Sequence, residues 1–98
     1  MDDVLKLPQK LDVAGARSLL ENLLSRRGHP LVVDAGGIER ISTPGVEVLL
    51  SAALQWRIDG LSFRILEASE AFRDACRDLG LDPARHFDAT PMDEGDAR

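Results

Sequence analysis

Ninety-eight residues are enough for one hydrophobic core and too few for two, and a chain that is 44% hydrophobic and 30% charged is too apolar for disorder. Seventeen Asp and Glu against twelve Lys and Arg leave a net charge of −5 with no basic stripe interleaved with aromatics, which argues against nucleic acid and anionic membrane surfaces as partners. The apolar runs fall far short of the ~20 residues that span a bilayer, and MDDVLK is acidic where a signal peptide is basic, so no membrane insertion and a cytoplasmic location are expected.

In chain order, VLKL at 4–7 alternates loosely and stops at Pro8, the pattern of a short edge strand. Asp12 offers an N-cap, and Val13, Ala16, Leu19, Leu20, Leu23 and Leu24 keep helical spacing up to Arg26, Arg27 and the Gly28 stop. They predict a helix over about 13–27. Behind Pro30, LVVD at 31–34 is an unbroken run, the mark of a strand covered on both faces.

Gly36-Gly37 then turns the chain, Ile38 and Ile41 anchor a loop, and Val46, Leu49, Leu50, Ala53 and Leu54 predict a second helix to about Ile58, closed by Asp59-Gly60. LSFRIL at 61–66 alternates, with Leu61, Phe63 and Ile65 on one face. Ser69 caps a third helix through Phe72, Ala75, Cys76 and Leu79, Gly80 closes it, and Asp82-Pro83 begins another turn. Residues 92–98 read as a polar, flexible tail on a single domain over 1–91. The order strand, helix, strand, helix, strand, helix with short connections predicts a small α/β domain whose sheet has parallel pairs and helices over it.

Little in the chain suggests catalysis. His29 and His86 have no Ser, Cys or carboxylate at a motif spacing, and Gly36-Gly37 lacks both phosphate-loop patterns. The acidic pairs Asp2-Asp3 and Asp93-Glu94 lie at the chain ends, where no fixed separation can be held. Cys76 reads as a small apolar residue of a helix, and no Cys or His pair has metal spacing. No enzyme activity, metal or cofactor is expected.

The junction ISTPGV, residues 41–46, is different. Pro44 suits the first helical position and its ring pushes Thr43 out of the α region, which makes Thr43 the predicted N-cap. Capping alone, at about 1 kcal/mol, accounts for the hydroxyl. The same helix end also tolerates a phosphate on Thr43 or Ser42. Along the helix that follows, Glu47, Ser51 and Gln55 form a polar ridge with Val48 beside it, while Val46, Leu50 and Ala53 face the sheet. Trp56 falls at the flank with Ala52, as core rim or as a partner anchor.

LDVAGARSLLENLL, LVVDAGGIERISTPGVEVLL and ILEASEAFRDACRDLGLD, in this order, resemble the first-helix entry, the central strand with its switch loop, and the last strand and helix of a STAS domain, the fold of anti-sigma factor antagonists. About residues 3–88 are covered. The resemblance implies a mixed β-sheet of about four strands with helices packed over it. In the family the loop reads Asp-Ser/Thr-x-Gly, and a partner kinase phosphorylates the hydroxyl after the Asp, or its neighbour, to release a bound partner. Thr43 matches that hydroxyl and Gly45 the glycine, while Ser42 stands in place of the Asp and Pro44 in place of a second Ser, Thr or Ala.

The resemblance therefore implies a non-catalytic regulator that binds a protein partner, an anti-sigma factor or a kinase-like protein, through Ser42, Thr43, Pro44, Gly45, Glu47, Val48 and Ser51. Thr43 and Ser42 are the phosphorylation candidates. It equally implies an alternative without phospho-switching: a constitutive accessory subunit docked on a transporter subunit of a lipid-transport ABC complex, or a chemotaxis-operon STAS protein.

Overall fold

The computed structural model describes residues 3–88, so the tail expected at 92–98 lies outside the described residues. The β-branched run at 31–34 forms the central strand β3 (Leu31–Asp34), paired in parallel with β1 (Asp3–Lys6) on one side and β5 (Phe63–Leu66) on the other. The register places Leu5 beside Val33 and Val33 beside Ile65. Two helices make the crossovers, α1 (Val13–Ser25) between β1 and β3 and α2 (Thr43–Ile58) between β3 and β5. Both step in the same direction along the sheet, so the right-handed rule puts them on one face, packed against each other. The last described elements are α3 (Glu70–Asp78) and the single turn α4 (Pro83–His86).

A second ladder was not visible in the pattern of the sequence. Residues expected to be loop form β2 (Lys10–Leu11) and β4 (Arg40–Ile41), also paired in parallel. In place of about four strands in one mixed sheet there are five described strands in sheets of three and two, and every described pairing is parallel. Two-residue strands are too short to carry a period of two, which is why they escape a reading by alternation.

The core gathers Leu5, Val33 and Phe63 from the sheet, Leu19 and Leu23 from α1, and Val46, Leu49, Ala53 and Trp56 from α2. Trp56 is only 2% exposed, its ring lies 5.6 Å from that of Phe63, and its Nε1–H donates to the His29 carbonyl at 2.7 Å. It is thus a core residue and no partner anchor. On α2, Leu49 and Ala52 are buried while Leu50 is only half-buried, a rotation of the buried face away from the one predicted. Phe72 and Phe87 meet edge to face at 5.6 Å and fasten the last turn to α3.

Most helix ends follow their sequence signals, although α1 stops at Ser25, short of the expected 27. Asp12, Ser69 and Asp82 cap α1, α3 and α4, and Gly60 and Gly80, both at φ 75°, take the left-handed position that stops α2 and α3. Beyond α1, Arg27 pairs with Asp59 at 3.1 Å and ties that helix end to the end of α2. The hydrogen bond from Arg27 holds the Asp59 carboxyl below its ordinary value. The small stabilisation from this exposed pair is therefore present above the ordinary carboxylate value and is lost as pH falls through the lowered one.

Cys76 is fully buried, and burial pushes its thiol up to about 11. We expect no reaction of the folded protein with a thiol reagent at pH 8 and complete labelling in denaturant; rapid labelling of the native state would contradict this packing. Among the described residues no helix is long and apolar enough to cross a membrane.

Candidate functional site

Two six-residue stretches, KLDVAG at 10–15 and RISTPG at 40–45, fold alike. Each is a two-residue strand, a capping residue and a helix whose third residue is glycine. The strands pair with Lys10 beside Arg40 and Leu11 beside Ile41. The Asp12 carboxylate accepts from the Gly15 N–H at 2.8 Å, and the Ser42 hydroxyl oxygen accepts from the Gly45 N–H at 3.2 Å. Parallel pairing therefore carries the first turns of α1 and α2 to the same end of the domain.

The N-cap of α2 is thus Ser42 and not Thr43, which is the first helical residue, with Pro44 second. The cause is the ladder. The Ser42 N–H donates to the Leu11 carbonyl at 2.8 Å and holds Ser42 extended at φ −80°, ψ 159°, overriding the preference of a residue before proline. Pro44 is tolerated because the N–H it lacks is one of the four that a first turn leaves free. Ser42→Ala is expected to cost about 1 kcal/mol and Thr43→Ala under about 0.5 kcal/mol, read from urea midpoints. The reverse order would restore the cap to Thr43.

Gly45 explains itself by distance. A Cβ there would lie 3.0 Å from Ile41 Cγ1 and 3.0 Å from Leu11 Cδ2. Leu11, 2% exposed, is wedged between the two helix mouths, and a Cβ on Gly15 would meet its Cδ1 at 3.2 Å. Only a hydrogen side chain lets α2 approach the second ladder this closely.

The residues expected to meet a partner fall in three groups. Thr43, Glu47 and Ser51 are exposed, and Ser42, Pro44 and Val48 half-buried. Gly45 is buried and offers a partner no surface. Val48 and Ser51, with Gln55, form one wall of a hollow of ≈ 160 Å³ between α2 and α1. The opposite wall is Leu20 and Leu24, 45% and 58% exposed, with Arg27 at its end.

Both leucines belong to the apolar series whose helical spacing predicts α1. The available signal was width: Val13, Ala16, Leu19, Leu20, Leu23 and Leu24 cover more of a helix than one face can bury, and only Ala16, Leu19 and Leu23 are inside.

Polar chemistry is sparse. Among the described residues no three His, Cys, Asp or Glu side chains are grouped to hold a metal. His29 is exposed, and His86 lies near its own turn, with Nδ1 2.9 Å from the Asp82 nitrogen. Neither belongs to the hollow or to the mouth of α2. Among the described residues the arrangement offers an apolar groove, an exposed hydroxyl and no converging acid, base or nucleophile.

A family model described as "Mlab, STAS domain" matches residues 1–85. No curated protein and no solved structure matches the chain.

Proposed function

The chain belongs to the STAS domain family, and from that premise we propose that it is a non-catalytic, cytoplasmic regulatory module that binds a protein partner through the mouth of α2 and its Glu47, Val48 and Ser51 flank, with Thr43 as the position a phosphate would switch. The observation that carries this reading is the division of labour between the two hydroxyls. Ser42 is half-buried and spends its oxygen on the cap, whereas Thr43 stands exposed on the first turn with no hydrogen bond from its side chain among the described residues. A phosphate on Thr43 adds about −2 charges at a helix end that tolerates them, so it alters the docking surface and leaves the fold in place. Wild type and Thr43→Ala should retain the partner from native cells, and Thr43→Glu should lose at least about tenfold in affinity, a change of ~1.4 kcal/mol. Equal retention by all three would remove the switch.

The groove favours a second reading, in which docking is permanent. Obligate interfaces are more apolar than transient ones, and Leu20, Leu24 and Val48 supply an apolar strip along the hollow between α1 and α2. Permanent docking corresponds to the constitutive accessory subunit that the STAS resemblance implies as its alternative. In that case Thr43→Glu leaves the complex intact and Leu24→Arg breaks it.

A further inference from the structure

Lys10 and Arg40 are register partners in the ladder of β2 and β4, so their side chains leave the same face of it. Both are exposed, and among the described residues neither side chain pairs with a carboxylate or makes a hydrogen bond. They rim a hollow of ≈ 350 Å³ whose other lining is Leu11, Ile41, Asp12 and Ser42. The one carboxylate there, on Asp12, already accepts the Gly15 N–H.

Like charges placed directly opposite each other across two strands oppose folding. Their presence on a chain of net charge −5 is thus an arrangement that stability alone does not favour. Ser42 belongs both to this hollow and to the mouth of α2, so the cation pair continues the docking surface.

We infer that the Lys10–Arg40 pair is a receptor for carboxylate side chains of an acidic segment on the docked protein partner. The planar fork of Arg40 matches a carboxylate with two parallel N–H donors, and the Lys10 ammonium supplies a second, rotatable point charge. An extended polyanion such as an anionic lipid surface or a nucleic acid reaches beyond the pair and meets the chain's net charge of −5, whereas a short acidic segment contacts the pair alone.

This inference rests on the docking reading, and its test needs no native partner. The 15N-labelled full chain is titrated with the peptide acetyl-Ala-Glu-Leu-Glu-Ala-amide, with the Gln-for-Glu peptide, and with inorganic phosphate. The Glu peptide should produce saturable shifts confined to the amides of residues 10–12 and 40–42, weakened at least about threefold by raising NaCl from low to physiological strength and absent in the Lys10→Ala/Arg40→Ala protein. Shifts that are diffuse, that are equal with the Gln peptide, or that phosphate produces at lower concentration than the Glu peptide would overturn the assignment.

Arg40→Gln supplies a second measurement. Its melting temperature should equal or exceed that of wild type while its peptide binding falls; a lower melting temperature would make Arg40 a structural residue and contradict the inference. Failure of the titration leaves the docking reading to its own test on Leu24 and Thr43, and failure of that test leaves the titration result unaffected.

Discussion

Trp56→Ala is expected to lower the stability of the domain by about 3–5 kcal/mol, the usual cost of truncating a buried large aromatic. That is a large part of the ~5–15 kcal/mol that holds a domain folded, and a substantial unfolded fraction at 37 °C should follow. The indole is 2% exposed, rests against Phe63 and donates to the His29 carbonyl, so truncation removes apolar burial, an aromatic contact and a hydrogen bond together. Trp56→Phe keeps most of the ring and loses the donor. Because His29 is exposed, water can satisfy the freed carbonyl, and the cost should stay near 1–2 kcal/mol, roughly a hydrogen bond and some packing. Urea unfolding followed by circular dichroism measures both. An alanine variant with an unchanged midpoint would mean that Trp56 is a surface residue.

Gly45→Val should be nearly as damaging, at about 3 kcal/mol, because overpacking at a site with no room costs ~1–3 kcal/mol and a β-branched residue adds two further carbons. The informative comparison is Gly45→Ala. Helix propensity favours alanine by about 1 kcal/mol, but its Cβ meets Leu11 and Ile41 at 3.0 Å, and Leu11 is buried too deeply to yield. The two effects leave a net loss of about 1 kcal/mol. If Leu11 is the obstacle, Leu11→Ala and Gly45→Val should couple, the double variant being less destabilised than the sum by more than about 0.5 kcal/mol. A stabilised Gly45→Ala protein would show that the glycine is not there for packing.

The larger architecture was legible because its signals are periodic or punctuated. LVVD read as a covered strand, LSFRIL as an alternating one, and the caps Asp12 and Ser69 with the stops Gly60 and Gly80 fall where the helices start and end. The second ladder was not legible, because Lys10–Leu11 and Arg40–Ile41 are paired by topology and carry no pattern of their own. The same pairing moved the α2 cap from Thr43 to Ser42, a shift of one residue that the pre-proline rule alone does not yield.

At the site, the glycine and the two hydroxyls were found from the loop, but what they do depends on Leu11, far earlier in the chain. Leu11 explains Gly45, and the Leu11 carbonyl explains Ser42. The exposed Leu20 and Leu24 were hidden among six apolar positions of one helix, since spacing gives a face its width and only packing decides which part of it stays outside. Family membership accounts for the architecture, whereas the docking role we propose rests on Thr43 and on this strip.

The most direct measurement of that role is retention of a native partner by surface variants that keep the fold. Wild type, Leu24→Arg, Ser51→Arg and a control, Leu79→Arg, whose leucine is 42% exposed at the C-cap of α3 and does not line the groove, would be purified from cells of the source organism at matched levels. We expect all four to share a melting temperature, and wild type and the control to hold a protein at a fixed stoichiometric ratio that Leu24→Arg and Ser51→Arg lose. The same protein held equally by all four, or lost only by the control, would contradict docking at α2 and its groove.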